Sequence, residues 1–295
     1  MRTIPLLMAL AGCGAPISNS LFYAEAAYLD ALPTSARFAP PQAFLDGPEG
    51  DDPLLAGAER AATDLQNLLG PMDACGEALV SAAPDERGDT YRTWDRVPVL
   101  VPTQQGTFEW WVRGTVVREP SGAYTWTIDG AISRIGPWVE LATGRHESSD
   151  AGQVRWRLDD LGALLGTAIP GVVDLQYTWT GAEYSVQAMH LPDTLATDPD
   201  RYWAVQGDQI VSWTDLFQVT ADGATLPGLA VAGLGDHGGR ADGYVWRADD
   251  SRVIFGHCWN ADGQNTWAGG DAGTVQSGDE GACSLDPLLT ADDLP

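Results

Sequence analysis

From Tyr91 onward the spacing of apolar residues changes from near 3.6 to 2, and this change constrains the fold more than any other feature of the chain. Phe108, Trp110, Val112, Gly114 and Val116 alternate with Glu109, Arg113 and Thr115, so each set shares one face of a strand. Pro120-Ser121-Gly122 supplies a turn, after which Tyr124, Trp126, Ile128, Gly130 and Ile132 resume the apolar face against Thr125, Thr127 and Asp129. The pattern predicts an antiparallel hairpin. Further strands are predicted over 137–143, 153–158, 172–180, 183–191, 202–205, 209–219, 243–248 and 252–259, with Gly181, Gly207-Asp208 and Asp249-Asp250 where short turns belong. Sequential short strands, with no helix long enough for repeated crossovers, imply an antiparallel meander rather than a parallel sheet.

Ahead of the strands the period is helical. Ser18 or Asn19 caps a helix that puts Leu21, Phe22, Tyr28, Leu29 and Leu32 on one side and ends at Pro33. Asp52-Pro53 starts a second, with Leu54, Leu55, Ala58, Ala61, Ala62, Leu65, Leu68 and Leu69 at three- and four-residue steps and Gly70-Pro71 as its stop. Residues 72–83 add a shorter one, and 160–165 a turn or two. A long meander curls to bury one face, and the front helices have their place against it. The predicted fold is mainly β: a curved antiparallel meander sheet, half-barrel or sandwich-like, with two or three N-terminal helices packed on it. Residues 13–89 are the tether and helical segment and 90–295 the β domain, which packs with 18–83 as one globular unit. A second small domain is the alternative for a body this long.

Arg2, the apolar run from Ile4 to Leu10 and Leu10-Ala11-Gly12-Cys13 form a third signal. They resemble the bacterial lipobox, in which a cysteine receives a diacylglycerol thioether and becomes the new N-terminus after cleavage. The resemblance implies that residues 1–12 are a lipoprotein signal peptide. It also implies that Cys13 is the lipid anchor, held at a bilayer by acyl chains such as palmitate. The membrane is then a partner through the lipid on Cys13, and no run of 18 apolar residues predicts a spanning helix. Gly14, where aspartate would resemble an inner-membrane retention signal, favours the outer membrane. The body, with its Gly136-Pro137-Trp138, resembles the acidic, Trp-rich surface lipoproteins of Gram-negative bacteria, a likeness that implies compartment and architecture and carries no activity across.

The net charge is −25 and all 16 basic residues are arginine. A polyanion is repelled by phosphate backbones, so nucleic acid is not an expected partner. Without lysine, Schiff-base chemistry, a phosphate-loop lysine and a Ser-Lys dyad are excluded. Of the cysteines left after Cys13, Cys258 and Cys283 are the expected disulfide, closing a Gly- and Asp-rich loop in an oxidising compartment. A bridge over that loop contributes about 3 kcal/mol in the chain-entropy account. Pairing of Cys75 with either C-terminal cysteine is the alternative.

No catalytic constellation stands out. Gly235-Asp236-His237-Gly238-Gly239 resembles the Gly-Asp-Ser-Gly-Gly of trypsin-like proteases but holds histidine at the nucleophile position, and it reads as a flexible loop. His146, His190 and His257 lie far apart, and Glu140 with Glu147, or Asp159 with Asp160, are the nameable carboxylate pairs in a chain with 41 acids. Asn260, Asp262, Gln264, Asn265 and Asp271 cluster as oxygen ligands, yet they lack most acids of a calcium loop. Ala-Asp-Gly recurs at 221, 241 and 261, as expected of turns rather than of a repeat. No cofactor is expected.

Twelve tryptophans fall mostly in phase with the apolar alternation and read as core. Trp111 is out of phase with Trp110, so it faces outward beside Glu109 and Arg113 as a candidate ligand contact. Two functions follow. The first is a non-enzymatic cell-envelope lipoprotein acting as a structural or protein-contact module, with an envelope protein as partner. The second is a cradle binding an apolar or carbohydrate ligand.

Overall fold

Helices and strands fall largely where the apolar period places them. A computed structural model describes residues 19–34, 40, 42–45, 52–103, 106–147, 150–166, 170–179, 184–192, 201–213, 219–221, 224–226, 228–246, 252–270 and 277–289. The helices are α1 (Asn19–Asp30), α2 (Gln42–Leu45), α3 (Pro53–Ser81) and α4 (Leu158–Leu165). The first strands are β1 (Glu86–Arg87), β2 (Tyr91–Thr103), β3 (Gly106–Arg118), β4 (Tyr124–Ala131), β5 (Val139–His146) and β6 (Ala151–Arg157). Next come β7 (Val172–Trp179), β8 (Tyr184–Leu191), β9 (Arg201–Gln206), β10 (Gln209–Trp213), β11 (Val219–Ala221) and β12 (Ala224–Leu226). The last are β13 (Gly228–Gly235), β14 (Gly238–Trp246), β15 (Arg252–Asn260), β16 (Asn265–Gly270) and β17 (Ser277–Gly278).

Among the described residues, fifteen strands form one open antiparallel meander from β1 to β10 and on from β13 to β17, each beside its chain neighbour, while β11 and β12 pair separately. The sheet is not closed into a barrel. The predicted β3–β4 hairpin is present in the predicted phase, with Val116 opposite Trp126, Gly114 opposite Ile128 and Val112 opposite Gly130. Its turn closes through the Gly122 amide donating to the Glu119 carbonyl at 3.0 Å, with Gly122 at φ 92°. Ile132 departs from its expected inward place: β4 ends at Ala131, and Ile132 is 51% exposed.

α3 is one helix of 29 residues, not two. The Asp52 carboxylate caps it by accepting from the Leu54 and Leu55 amides, and Pro53 suits the first turn. Pro71 does not stop it. The proline forfeits one helical hydrogen bond, at roughly 3 kcal/mol. Against that, Leu69, Met72, Cys75 and Leu79 continue the buried stripe of Leu54, Leu55, Ala58, Ala61, Ala62 and Leu65, and burying side chains of this size contributes about 1.5–3 kcal/mol each.

The stripe lies along the concave face, touching β2 and β3 and also β10, β13 and β14. The sheet thus curls around a helix. Tyr28 on α1, Ala31 and Leu32 just after it, and Phe44 on α2 join the same cluster, which runs on to Trp259.

Large aromatics sit over glycines on the next strand, Trp126 over Gly144, Tyr177 over Gly152 and Trp259 over Gly239, while Gly114, opposite Trp94, makes room for Leu79 of α3. A Cβ on Gly144 would stand 2.2 Å from the Trp126 ring. Glycine is what lets so many tryptophans lie flat in one layer. Gly144→Val should therefore cost about 3 kcal/mol by overpacking and strip Trp126 of its near-ultraviolet circular dichroism, measured against wild type.

The predicted strand over 209–219 ends at Trp213 in β10, and outside the expected set lie the two- and three-residue β1, β12 and β17 and three longer strands, β2, β13 and β16. β2 carries Pro98 and Pro102 and a bulge between Trp94 and Val97, where Arg96 has φ 59°. β13 reads Gly-Leu-Ala-Val-Ala-Gly-Leu-Gly without a clear alternation, and β16 is short. The segment expected as a flexible loop at 235–239 is a tight hairpin, with Gly235 opposite Gly238 and only Asp236-His237 between them. Of the Ala-Asp-Gly triplets, the one at 261 forms a turn and the one at 241 is mid-strand with Asp242 buried. That at 221 extends beyond the described residues, as do Gly181 and Asp249-Asp250.

Candidate functional site

Each interior aromatic is spent on the core: Trp94, Trp110, Trp126, Trp156, Trp203 and Trp259 are all 2% exposed or less. The Trp94 indole donates to the Ala82 carbonyl at 3.0 Å. The concave face, where a cradle would hold a ligand, is occupied by α3.

The outer face is different. Gln153 on β6, Gln176 on β7, Gln187 on β8, Gln206 on β9 and Gln209 on β10 put one glutamine on each of five consecutive strands. Gln153 stands opposite Gln176, Gln176 opposite Gln187, and Gln206 opposite Gln209. Five of the twelve glutamines in the sequence are gathered here. They line a trough of about 580 Å³ with Thr178, Ser185 and Tyr202, and the Gln187 amide donates to the Tyr202 hydroxyl at 2.6 Å. At about 4.8 Å between strands, five strands span roughly 19 Å.

Charge at the trough is neutralised locally. Arg145 pairs with Glu147 and, at 3.2 Å, with Glu119. Hydrogen bonds from Arg145 and then Ser121 hold the Glu119 carboxyl below its usual value. On the adjoining stretch Arg155 grips both carboxylate oxygens of Asp174, at 2.8 and 2.7 Å, and that pairing raises the guanidinium further above its usual value. In a chain of net charge −25 this is an amide-rich, charge-balanced surface.

Trp111 does face outward, half-buried, while Trp110 faces in. The Arg134 guanidinium lies 5.5 Å from its ring centre, and Arg113 lies 4.8 Å from that of Trp138. Gly136-Pro137-Trp138 belongs to the β4–β5 connection, which exposes 89% of Ile135. Beside it Ile132, Pro137, Val139 and Leu164 line an apolar pocket of 420 Å³.

The nominated acid–base residues do not converge. Glu140 and Asp160 both flank Arg157, Glu147 pairs with Arg145, and the Asp159 carboxylate accepts from the Asp160 amide. His146 bonds the Tyr177 hydroxyl at 2.9 Å, and His190 lies 2.8 Å from the Pro170 carbonyl. His257 Nδ1 donates to Asp52 at 2.9 Å, and the Asn265 amide donates to the same carboxylate oxygen. Burial pushes the Asp52 carboxyl up, but the bond from His257 and the amides of Leu55 and Leu54 outweigh it and hold it below its usual value. Asn260 serves its own turn, its side-chain oxygen accepting from the Asp262 and Gln264 amides. Asp271 lies outside the described residues, as does Cys13.

Cys258 and Cys283 are joined as a disulfide. Arg240 reinforces it: buried on β14, it bonds both carboxylate oxygens of Asp242 and reaches Glu280 at 2.7 Å. Asp242 also accepts from the Leu288 amide at 2.6 Å. Cys75 is a free, fully buried thiol on α3, and burial pushes its pKa far up. Iodoacetamide should leave it unmodified in the native chain and alkylate it in denaturant, as read by intact mass.

Sequence reading missed the glutamine row because each glutamine alone is an ordinary outward polar residue. Its signal is the recurrence at 153, 176, 187, 206 and 209, four of them on predicted strands and Gln206 one residue past the strand predicted over 202–205. Comparison with known protein families, characterised proteins and solved structures finds no match for the chain.

Proposed function

We propose that the chain is a non-enzymatic cell-envelope lipoprotein of the outer membrane, tethered through acyl chains on Cys13, that serves as a structural or contact module through the outside of its sheet. The filled interior carries this reading. A cradle needs a vacant concave face, and here the apolar stripe of α3 covers it. The large outward surface of β3 to β10 is what a partner can reach. The acid–base groups support the same reading, because Glu140, Glu147, His146 and His190 are engaged by separate arginine, tyrosine or backbone partners, and His257 is held by Asp52, the cap of α3.

The test is palmitate labelling of the full chain in a Gram-negative host, with fractionation and cross-linking of the envelope. The wild type should take up label and partition with outer membranes, and Cys13→Ser should remain unlabelled and aqueous. Anchoring that persists in Cys13→Ser, or an unlabelled wild type, overturns the tether. A stoichiometric apolar molecule carried in native mass spectra would overturn the reading of a filled interior.

A further inference from the structure

We propose that the glutamine row across β6 to β10 is a binding site for an uncharged, hydroxyl-rich glycan strand; this rests on the sheet's outside being the contact surface and not on the tether. A carboxamide carries two donors and an acceptor with two lone pairs, and a sugar hydroxyl is likewise both donor and acceptor. Gln153, Gln176 and Gln187 stand in register, and Gln206 with Gln209 is stepped two residues along because Gln187 faces Ala204, so the amides offer donors and acceptors along an oblique line that a polyhydroxyl chain can follow. A charged ligand finds no counterpart: Arg145 is held between Glu119 and Glu147, and Arg155 is closed on Asp174.

Shape agrees with chemistry. The trough crosses the strands rather than following one, and it continues past Gln153 and Gln176 into a second stretch of about 620 Å³ lined by Thr127 and Thr143. An elongated ligand lies across such a surface, touching one amide per strand. Tyr202, already oriented by Gln187, places an aromatic ring and a hydroxyl at the trough wall. An extended peptide would instead seek unpaired backbone at a sheet edge, and every strand from β6 to β10 is paired on both sides.

The detergent-solubilised full chain should bind neutral oligosaccharides on a printed array of neutral and charged glycans, and leave uronic-acid and glucosamine polymers unbound. Gln176→Glu and Gln187→Glu keep the side-chain shape on an exposed face and should each weaken the best neutral hit about tenfold. Gln66→Glu on the exposed side of α3 should leave it unchanged. Thermal melting of each variant matching wild type shows that the fold is retained. No binding to any neutral glycan, preference for charged ones, or binding indifferent to Gln176→Glu and Gln187→Glu overturns the assignment. A co-purifying protein lost in Gln176→Glu would overturn the glycan while leaving the outer face as a contact surface, and the Cys13→Ser fractionation reads the tether independently.

Discussion

Arg240→Met should destabilise the chain by about 3–5 kcal/mol, because it removes one member of an ion pair and leaves the other charged in the interior. Arg240 and Asp242 have side chains only 4% and 5% exposed, and they meet through the guanidinium Nε at 2.9 and 3.0 Å. Burial alone would lower the arginine's pKa; its hydrogen bonds to Asp242 and Glu280 outweigh that and raise it, so the guanidinium keeps its charge. Taking away the guanidinium leaves the Leu288 amide as the carboxylate's remaining donor among the described residues. Equilibrium urea unfolding measures the loss. The double variant Arg240→Met/Asp242→Leu should recover most of it, since two apolar groups in place of a buried pair are often neutral or better. A single variant as stable as wild type would show that water reaches Asp242.

Asp52→Ala should cost about 3 kcal/mol, the sum of a lost helix cap and of charge-assisted hydrogen bonds left without their acceptor. One carboxylate receives four donors from three elements: the Leu54 and Leu55 amides of α3, His257 of β15 and Asn265 of β16. Asp52→Asn keeps the capping oxygen and loses the charge, so it should cost less, and the difference separates cap from charge. The pH dependence has a definite sign. The carboxyl's pKa is depressed in the folded chain below its ordinary 3.8, so its stabilisation is fully present above about pH 4. It is lost as pH falls through the depressed value. Between neutral pH and pH 2, wild type should therefore lose more stability than Asp52→Ala. Parallel pH profiles for the two would sink the assignment.

Much of this fold is legible in the chain because the local signals agree. Trp126, Ile128 and Gly130 alternate with Thr125, Thr127 and Asp129, Gly122 closes the turn before them, and the hairpin forms in that phase. Pro71 is misleading for the opposite reason: a strong local stop is outvoted by Leu69, Met72, Cys75 and Leu79, whose burial depends on strands far along the chain. β13 is hard to see because a strand of Gly, Ala and Leu is chosen for closeness rather than propensity. Its Gly233 and Gly235 lie under Leu288 and Leu285 of the C-terminal segment.

The site is less legible than the fold. Asp52 meets His257 across 205 positions, and the five glutamines become a row only once the register of every intervening hairpin is known. Trp111 could be placed outside from its phase alone, because that needs one strand and no partners.

A sheet this wide, left open, has two rims, and β1 and β17 are only two residues each. Because β1 covers only Arg92 and Thr93, the rest of β2 forms that rim, and there the bulge between Trp94 and Val97 and the amide-less Pro98 and Pro102 interrupt the ladder that a neighbouring molecule would extend into a fibre. Lengthening either rim with an alternating Val-Thr segment would remove that protection, and the first symptom would be slow polymerisation at high protein concentration.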